Sequence, residues 1–394
     1  MRVLRAVPLA AILLLSLAVT GCWDRREVND ILIVSATALD REEEKYRVTV
    51  QAPLPGQMGG AGSGGGGGGT SGQKPWFNHS ETGRSVREAN ETQQRSLSRM
   101  LNFSHRRVLL IGEGLARSGI SQALDILGRI PQNRMTAYML MVQGNAEEAL
   151  NIDASTEKMP AEMLRELASI PFKKPRTIDD TVHAILSEGT DPYLPYIRLG
   201  PSPSGAKQPA PTVEGVALFS GEKLATFVNG TISQGLLLAL DQASNPVVTI
   251  KAPEGNGFIS IRLPNYNVRV RAETGGEAPT FTVSVEGRMI LAENSSDFHA
   301  AKNSDTILDM ERAVNRHLEQ VMQGGLEAAR DAGSDPMGFG DYLYQHKPSY
   351  WKRIKPNWKQ TYSAIRIVAK SRVTFQHPGT FTYPLGVPDH QLVP

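Results

Sequence analysis

The residue type best suited to chemistry in this sequence is cysteine, which occurs once, at Cys22. Val19, Thr20 and Gly21 precede it, and small residues ahead of a cysteine are the pattern that lipoprotein-processing enzymes recognise. The thiol can carry diacylglycerol through a thioether, and small neighbours let the peptide bond fit a protease buried in the membrane. We therefore predict cleavage between Gly21 and Cys22, and S-diacylglycerol modification of Cys22. The new α-amino group can then take a further acyl chain, such as palmitate.

The residues before Cys22 have the order of a secretory signal. Arg2 and Arg5 form a short basic start, and an apolar run over residues 6–19 follows. That run is shorter than the roughly 20 apolar residues of a membrane-spanning helix and has the length of a signal-peptide core. The sequence thus predicts a signal peptide over residues 1–21 and a mature protein held by lipid on the outer face of a membrane. The alternative is an ordinary secreted protein whose cysteine stands there by chance.

Residues for other kinds of chemistry are scattered. The eight histidines show no HxxxH or similar metal spacing, and no GxSxG nucleophile motif occurs. A single cysteine excludes disulfides and Cys-based zinc sites within the mature chain. Carboxylate pairs such as Asp179-Asp180 are simpler to explain as helix caps. We therefore predict a protein without enzymatic activity, metal or cofactor.

The charge balance bears on the class of partner. The chain has 42 Lys and Arg against 40 Asp and Glu, a formal net charge of +2. Signal cleavage would remove Arg2 and Arg5 and no acidic residue, so the mature chain would be neutral. A nucleic-acid-binding protein needs a net basic footprint. We therefore predict no nucleic-acid partner.

A second candidate site lies in residues 335–358, where aromatic residues alternate with basic ones. Such mixtures are favoured at protein interfaces and at lipid headgroups. The candidate partner-contact residues are Phe339, Tyr350, Trp351, Lys352 and Arg353. The alternative is a packed segment whose tryptophans fill the core beneath a long helix while the lysines face water. For the tryptophans we favour that packed alternative.

The predicted secondary-structure elements that must position these residues differ between the two halves of the chain. Strand and helix patterns alternate over residues 22–199, which predicts an N-terminal α/β domain. Its glycine-rich tract at 59–72 cannot form a core, and we predict a disordered loop there. Residues 200–211 are rich in Pro, Ser and Gly and predict a linker.

The second half of the chain favours antiparallel sheet. Residues 212–272 alternate with period two and predict a β-rich middle domain. Residues 273–394 predict a C-terminal α+β domain with one long helix, from about 305 to 330, packed on an antiparallel sheet. The tail at 363–375 alternates again and predicts a strand that pairs back onto that sheet. The fold class is therefore mixed α/β and α+β, with about three dissimilar domains.

Several segments, taken in order, carry a family resemblance. They are residues 21–29 (GCWDRREVN), 33–40, 83–150, 214–219 (EGVALF) and the late set Asp335, Gly338-Phe339-Gly340, Tyr350-Trp351 and Trp358. Together they resemble the C-subunit lipoproteins of spore nutrient germinant receptors, the Ger(x)C family. The resemblance covers nearly the whole mature chain, and the glycine-rich tract departs from the family pattern.

The resemblance implies a fold and a role. Such proteins have three dissimilar domains, act without catalysis and sit on the outer face of the spore inner membrane. They associate with a polytopic A-type subunit and a transporter-like B-type subunit in a complex that senses nutrients and starts germination. A rival hypothesis is a solute-binding lipoprotein of a transport system, which would have two similar lobes around a cleft. A lipoprotein hydrolase is a third hypothesis, which the missing nucleophile motifs disfavour.

Overall fold

The computed structural model describes residues 27–54, 74–154, 156–202, 209–276, 278–300 and 302–377. Gly21 and Cys22 lie outside this part of the chain, and so does the glycine-rich tract at 59–72. The predictions made for those residues therefore remain predictions.

A large sheet forms the first half of the described chain. It contains β2 (Ala36–Glu42), β3 (Lys45–Pro53), β4 (Trp76–Gly83), β6 (Val108–Gly112), β7 (Tyr138–Gln143), β8 (Tyr193–Gly200), β9 (Ala210–Ser220) and β10 (Lys223–Asn229). The spatial order of these eight strands is β10-β9-β8-β7-β6-β2-β3-β4. The four central strands, from β8 to β2, run parallel, and the outer strands are antiparallel. A separate short parallel pair joins β1 (Ile31–Ile33), which precedes β2, to β5 (Met100–Asn102), which precedes β6.

Helices cover both faces of this sheet, as the predicted α/β layer requires. The helices are α1 (Val86–Ser96), α2 (Glu113–Ser118), α3 (Ser121–Arg129), α4 (Ala146–Asn151), α5 (Pro160–Ser169) and α6 (Ile178–Leu186). Residues of α1, α2, α3 and α6 share one apolar core with the sheet, whereas α4 and α5 share a second core on the opposite face. Because both faces are covered, the whole of β6 is buried, which explains its continuous apolar run.

The predicted linker at 200–211 connects two neighbours in this sheet. Strand β8 ends at Gly200, strand β9 begins at Ala210, and the two are antiparallel partners. The following hairpin, β9 to β10, extends the sheet further. The predicted start of a middle domain at residue 212 therefore lies inside the first sheet, because strand pairing joins segments on either side of it. The Pro, Ser and Gly content of residues 200–211 predicted a connection between elements, but it could not show which strands that connection joins.

The second sheet has four strands in the order β11-β12-β13-β14. They are β11 (Val247–Lys251), β12 (Phe258–Glu273), β13 (Thr280–Asn294) and β14 (Arg366–His377). Helix α7 (Gly230–Ala239) leads into it from the first sheet, and α8 (Ser304–Asp331) packs across it. The sheet is mixed instead of wholly antiparallel, since the tail strand β14 pairs parallel with β13. The predicted long helix and returning tail strand are both confirmed.

Side chains of α8 form a polar ladder along the edge strand β14. Glu311, Asn315, Glu319 and Gln323, four residues apart, lie in one row on the helix. Their oxygens accept hydrogen bonds from the backbone N–H groups of Phe375, Val373, Ser371 and Ala369 at 2.7–3.0 Å. Asn315 and Gln323 also donate to backbone carbonyls of β14. The free edge of the sheet is thus satisfied by a helix, not by another strand.

Two local predictions differ from the structure. The apolar spacing of residues 86, 89, 97 and 101 predicts a helix over residues 84–101, but the helix ends at Ser96 and residues 100–102 form β5. The sequence also predicts that Asn145 caps the helix that follows it; Asn145 stands at the N-cap of α4, but its side chain makes no cap hydrogen bond. Asp40 at the end of β2 takes that role and accepts from the N–H groups of Ala146 (2.7 Å) and Glu147 (2.9 Å). A capping residue 106 positions away leaves no local signal in the sequence.

Candidate functional site

The late aromatic and basic segment folds into three short helices that bridge the two sheets. They are α9 (Phe339–His346), α10 (Pro348–Ile354) and α11 (Trp358–Ser363), with a single 3-10 turn at Lys355–Asn357. Pro348 occupies the first turn of α10, where a missing N–H costs nothing. We call the contact between these helices and the first sheet the junction.

The five candidate contact residues divide by burial. Phe339 is fully buried and stacks on Phe281 of the second sheet, with ring centroids 4.1 Å apart. Trp351 is also buried and meets Trp358 edge-on at 5.2 Å. These rings belong to the core, in agreement with the packed alternative for the tryptophans, so they are not free to contact a partner.

The other three candidates lie at the surface or close to it. Lys352 and Arg353 are exposed, and Tyr350 is half-buried with the Arg353 guanidinium 5.0 Å from its ring centroid. A cation above an aromatic face is a favourable arrangement that keeps the charged group near the surface. The structure therefore leaves Lys352 and Arg353 available for contact, whereas Tyr350 packs partly against the core and its hydroxyl is buried.

Two aspartates, the buried Asp335 and the half-buried Asp191, fix the junction from opposite sides. Asp191, just before β8, accepts hydrogen bonds from the N–H of Gly221 (2.6 Å) and from the N–H of Asp335 (2.8 Å). Asp335 in turn accepts from the N–H groups of Phe339 (3.0 Å) and Gly340 (3.1 Å) at the start of α9. The pair ties the turn between β9 and β10, the start of β8 and the first turn of α9 into one unit.

Burial sets the protonation of this pair. It raises the pKa of Asp335 to about 8, opposed by its two backbone hydrogen bonds and aided by the nearby Asp191 and Asp341 carboxylates. Burial likewise raises the pKa of Asp191, and the Lys359 ammonium opposes that change. Taking a carboxylate out of water without a cation in contact favours its neutral form. Burial therefore favours the neutral form of Asp335 near neutral pH.

A third aspartate closes the junction at the other end of the first helical turn. Asp341 accepts from the hydroxyls of Ser187 (2.9 Å) and Thr190 (2.7 Å), and its N–H donates to the carbonyl of Gly189 (3.1 Å). A Cβ built on Gly189 would lie 2.3 Å from the Asp341 nitrogen and 2.5 Å from the Gly340 carbonyl carbon. Only glycine lets the two backbones approach this closely.

A cleft of about 680 Å³ opens beside these carboxyls. Glu188 and Lys355 form an ion pair across its lining, and Trp358, Lys359 and Tyr362 line the C-terminal side. Each oxygen of Asp191 and Asp335 accepts a backbone N–H, so both carboxyls hold distant backbone segments in place. The arrangement is suited to holding two parts of the chain together.

The three junction aspartates have no shared pattern in the sequence that marks them as a set. Asp335 stands four residues before α9, and a carboxylate ahead of a helix is a capping signal that could have been recognised. Asp191 meets Asp335 across 144 residues, and the pairing of Asp341 with Ser187 spans 154. No local pattern encodes either contact.

Two further observations concern the described part of the chain as a whole. It contains no group of three His, Cys, Asp or Glu side chains placed to hold a metal ion. None of its helices combines the length and apolar character needed to cross a bilayer.

Comparison with known proteins assigns the chain to a family. The family described as "Spore germination protein N-terminal domain" matches residues 24–199, and "Spore germination B3/ GerAC like, C-terminal" matches residues 214–379. YfkR of Bacillus subtilis (strain 168), provisionally named a spore germination protein, is 35% identical over 368 residues, which cover 93% of this chain and 95% of YfkR. Spore germination protein KC of the same organism is 24% identical over 377 residues, covering 90% and 91%.

The fold agrees with a solved relative. The crystal structure of the GerBC protein superposes with a TM-score of 0.56 at 17% identity, covering 86% of this chain and 96% of that chain. Both halves of the sequence and the architecture therefore agree with the earlier resemblance. The chain belongs to the Ger(x)C family, the C subunits of spore germinant receptors.

Proposed function

We propose that this protein is a lipid-anchored, non-enzymatic C-type subunit of a spore nutrient germinant receptor. Acylated Cys22 would hold it on the outer face of the spore inner membrane, where it contacts an A-type and a B-type integral membrane subunit. The observation that carries the proposal is family membership over both halves of the chain, together with a sole cysteine at position 22.

The lipid gives the protein a physical mode of action. An anchor restricts the folded body to the membrane plane and raises its effective concentration near membrane partners. Two acyl chains suffice for stable attachment, since each buried methylene contributes roughly 0.8 kcal/mol. Contacts that would be weak in solution then become sufficient for assembly.

The chemistry of the junction supports a role without catalysis. A general base must lie within hydrogen-bond reach of the proton that it abstracts, and a catalytic role needs a group that is not already committed to the fold. In the described residues that line the cleft, the oxygens of Asp191 and Asp335 accept N–H groups of Gly221, Asp335, Phe339 and Gly340. These carboxyls serve the fold of the junction.

The rival hypothesis, a solute-binding lipoprotein, predicts two similar α/β lobes around a cleft. The two described sheets are dissimilar, with eight strands covered on both faces in one and four strands under one long helix in the other. Calorimetry of the unacylated mature chain, residues 22–394, with germinant amino acids and sugars separates the hypotheses. We expect no tight binding, and a micromolar or stronger heat signal would favour the rival.

The anchor is tested by replacing its thiol. We expect Cys22→Ala to accumulate as a folded protein that lacks acyl groups and leaves the membrane fraction, because no thioether can form. Gly21→Ala is the matched control, since it keeps a small residue before the cysteine and should be acylated normally. Mass spectrometry of Cys22 and fractionation of both variants check this, and an unmodified Cys22 in the native protein would refute the anchor.

The partners are tested by purification. A tagged full-length chain, extracted from spore membranes in mild detergent, should bring down an A-type and a B-type subunit. The Cys22→Ala chain should bring down much less of both, because its effective concentration at the membrane falls. Recovery of the wild-type chain alone under conditions that preserve other membrane complexes would contradict the proposal.

A further inference from the structure

The C-terminal part of the chain has a local excess of positive charge that the net charge of the whole chain does not reveal. Residues 342–377 contain eight Lys and Arg and no Asp or Glu, although acidic and basic residues nearly balance over the whole chain. Like charges without local counter-charges repel one another and favour an anionic partner. This segment therefore carries a partner preference that net charge does not show.

The fold turns part of this charge outward. Lys347, Lys352, Arg353 and Lys359 are exposed on α9–α11, and we call these four residues the basic face. Among the described residues none of the four forms an ion pair within 4 Å, although Lys359 also lines the junction cleft and its charge acts on Asp191. The neighbouring Lys355 is paired with Glu188.

Aromatic rings support the basic face from below and beside it. Trp351 and Trp358 are buried beneath it, while Tyr344 is 63% exposed next to it. The buried rings fix the helices, so the cations project from a rigid base. A rigid cluster of cations beside an exposed tyrosine is the composition that lipid–water interfaces favour.

The topology places the basic face at one edge of the large sheet, the edge where the four parallel strands begin. The four central strands are parallel, so their first residues share one edge. The junction residue Asp191 lies just before β8, and β1 lies just before β2 at that same edge. The two positions are three strands apart in the order β8-β7-β6-β2, or about 15 Å.

Cys22, the predicted lipid attachment point, can reach the edge of the sheet where the basic face lies. Cys22 precedes Ile31 by nine residues, and Val28–Asp30 among them form a 3-10 turn, so this segment spans at most about 25 Å. The junction holds α9–α11 at this edge through Asp191, Asp335 and Asp341. One flat bilayer can therefore meet both the anchor and the basic face.

We propose that the basic face docks on anionic phospholipid headgroups of the bilayer that holds Cys22. This proposal rests on the proposed anchor. An anchor by itself leaves the body free to rotate, whereas a second contact at the same edge fixes which side faces the membrane. The bilayer is favoured over an acidic protein as the occupant because the anchor brings it to this edge in every molecule.

The test separates the face from the anchor by using the complete mature chain, residues 22–394, made without acyl groups and carrying Cys22→Ser. Its binding to vesicles of phosphatidylglycerol and phosphatidylethanolamine is measured by co-sedimentation, with phosphatidylcholine vesicles as the neutral reference. The face variant combines Lys352→Gln, Arg353→Gln and Lys359→Gln. The control variant combines three exposed cations on the open face of the second sheet, Lys251→Gln, Arg262→Gln and Arg271→Gln.

We expect the parent chain to bind anionic vesicles and not phosphatidylcholine, with binding lost near 0.5 M salt. Each exposed cation contributes about 5-fold at an anionic surface, so the face variant should bind roughly 100-fold more weakly. The control variant should lose less than about 3-fold, and circular dichroism should show both variants folded. Hydrogen exchange should slow in residues 344–359 when vesicles are added.

Three results would overturn the docking proposal. They are no binding of the parent chain to anionic vesicles, equal losses in the face and control variants, and protection elsewhere than residues 344–359. A further outcome is that the parent chain fails to bind vesicles and the face variant also fails to co-purify the membrane subunits. The partner of the basic face is then a protein and not the bilayer. None of these results bears on acylation, which mass spectrometry of Cys22 decides separately.

Discussion

At the residue scale, three carboxyls that lie wholly or partly buried accept backbone N–H groups from distant segments. Asp40 fixes the start of α4, Asp191 fixes the turn between β9 and β10, and Asp335 fixes the start of α9. Burial raises the pKa of all three. Each side chain gains hydrogen bonds in the folded chain but is desolvated as an anion, so folding becomes coupled to protonation.

The strongest such coupling is expected at Asp335. Its pKa is about 8 in the folded chain and near 4 when unfolded, so between these values the unfolded chain binds fewer protons. Stability is therefore full below about pH 4 and falls as the pH rises to 8, by up to about 1.4 kcal/mol per pH unit. We expect Asp335→Asn to lose much of this slope, with Asp191 retaining the rest.

Thermal unfolding of both chains at pH 5 and pH 8 measures this difference. The Tm of Asp335→Asn relative to wild type should be higher at pH 8 than at pH 5. Asp331→Asn, exposed at the end of α8, serves as the matched control and should follow the wild type at both pH values. Parallel behaviour of Asp335→Asn and wild type would show that Asp335 is ionised in the folded protein.

Gly189 supports a second residue-scale prediction. Gly189→Ala would place a Cβ 2.3 Å from the Asp341 backbone nitrogen, so α9 must move away from the first sheet. We expect a loss of about 1–3 kcal/mol in the free energy of unfolding, measured by urea titration. Gly128→Ala in α3, where a Cβ meets nothing within 4 Å, should be neutral or stabilising by up to about 1 kcal/mol.

At the scale of elements, the polar ladder of α8 explains how β14 can be an edge strand. Unpaired N–H and C=O groups at a sheet edge invite pairing with another chain. The row Glu311, Asn315, Glu319 and Gln323 occupies these groups over most of the strand. The same helix buries Met310, Val314, Leu318 and Met322 one residue away, so one helix serves both core and edge.

Removing one member of the ladder should loosen the edge. Asn315 accepts from Val373 N–H (2.8 Å) and from the Ser371 hydroxyl (2.7 Å), and it donates to the Val373 carbonyl (3.0 Å). Asn315→Ala should lower the free energy of unfolding by about 1–3 kcal/mol and speed amide exchange in β14. Gln320→Ala, exposed on the same helix, should change neither quantity, and equal effects of the two variants would contradict the ladder.

At the scale of the whole molecule, the junction decides whether the two sheets behave as one body. The contacts that join α9–α11 to the first sheet are polar, short and concentrated between residues 187 and 191. Apolar residues from both sheets also share one core, in which Tyr193 and Val216 lie with Phe339 and Trp358. The two sheets should therefore unfold together.

Asp341→Ala tests this coupling. It removes the acceptor of the Ser187 and Thr190 hydroxyls while leaving both apolar cores intact. We expect faster amide exchange and proteolysis in residues 339–363, with the strands of the first sheet still protected, and a loss of about 1–3 kcal/mol. Asp309→Ala, an exposed ion-pair partner on α8, is the control and should leave this segment protected.

The sequence alone determined features that depend on near neighbours. The sequence predicts that Thr177 and Asp180 cap a helix, and the structure shows this capping box at the start of α6. The long helix α8 and the alternating tail strand are also confirmed, because caps and apolar periods involve residues a few positions apart. The family resemblance is confirmed for a similar reason, since it rests on short motifs in a fixed order.

Only the tertiary structure decided features that depend on distant partners. Period-two alternation marks a strand and its buried face but not its neighbour, so the parallel pairing of β14 with β13 and the continuation of the first sheet across residues 200–211 had no local signal. The burial of Phe339 and Trp351 also had no local signal, because it depends on which distant residues pack over these rings. The Asp191 and Asp335 contact joins residues 144 positions apart, and a distance that long is set by the complete fold.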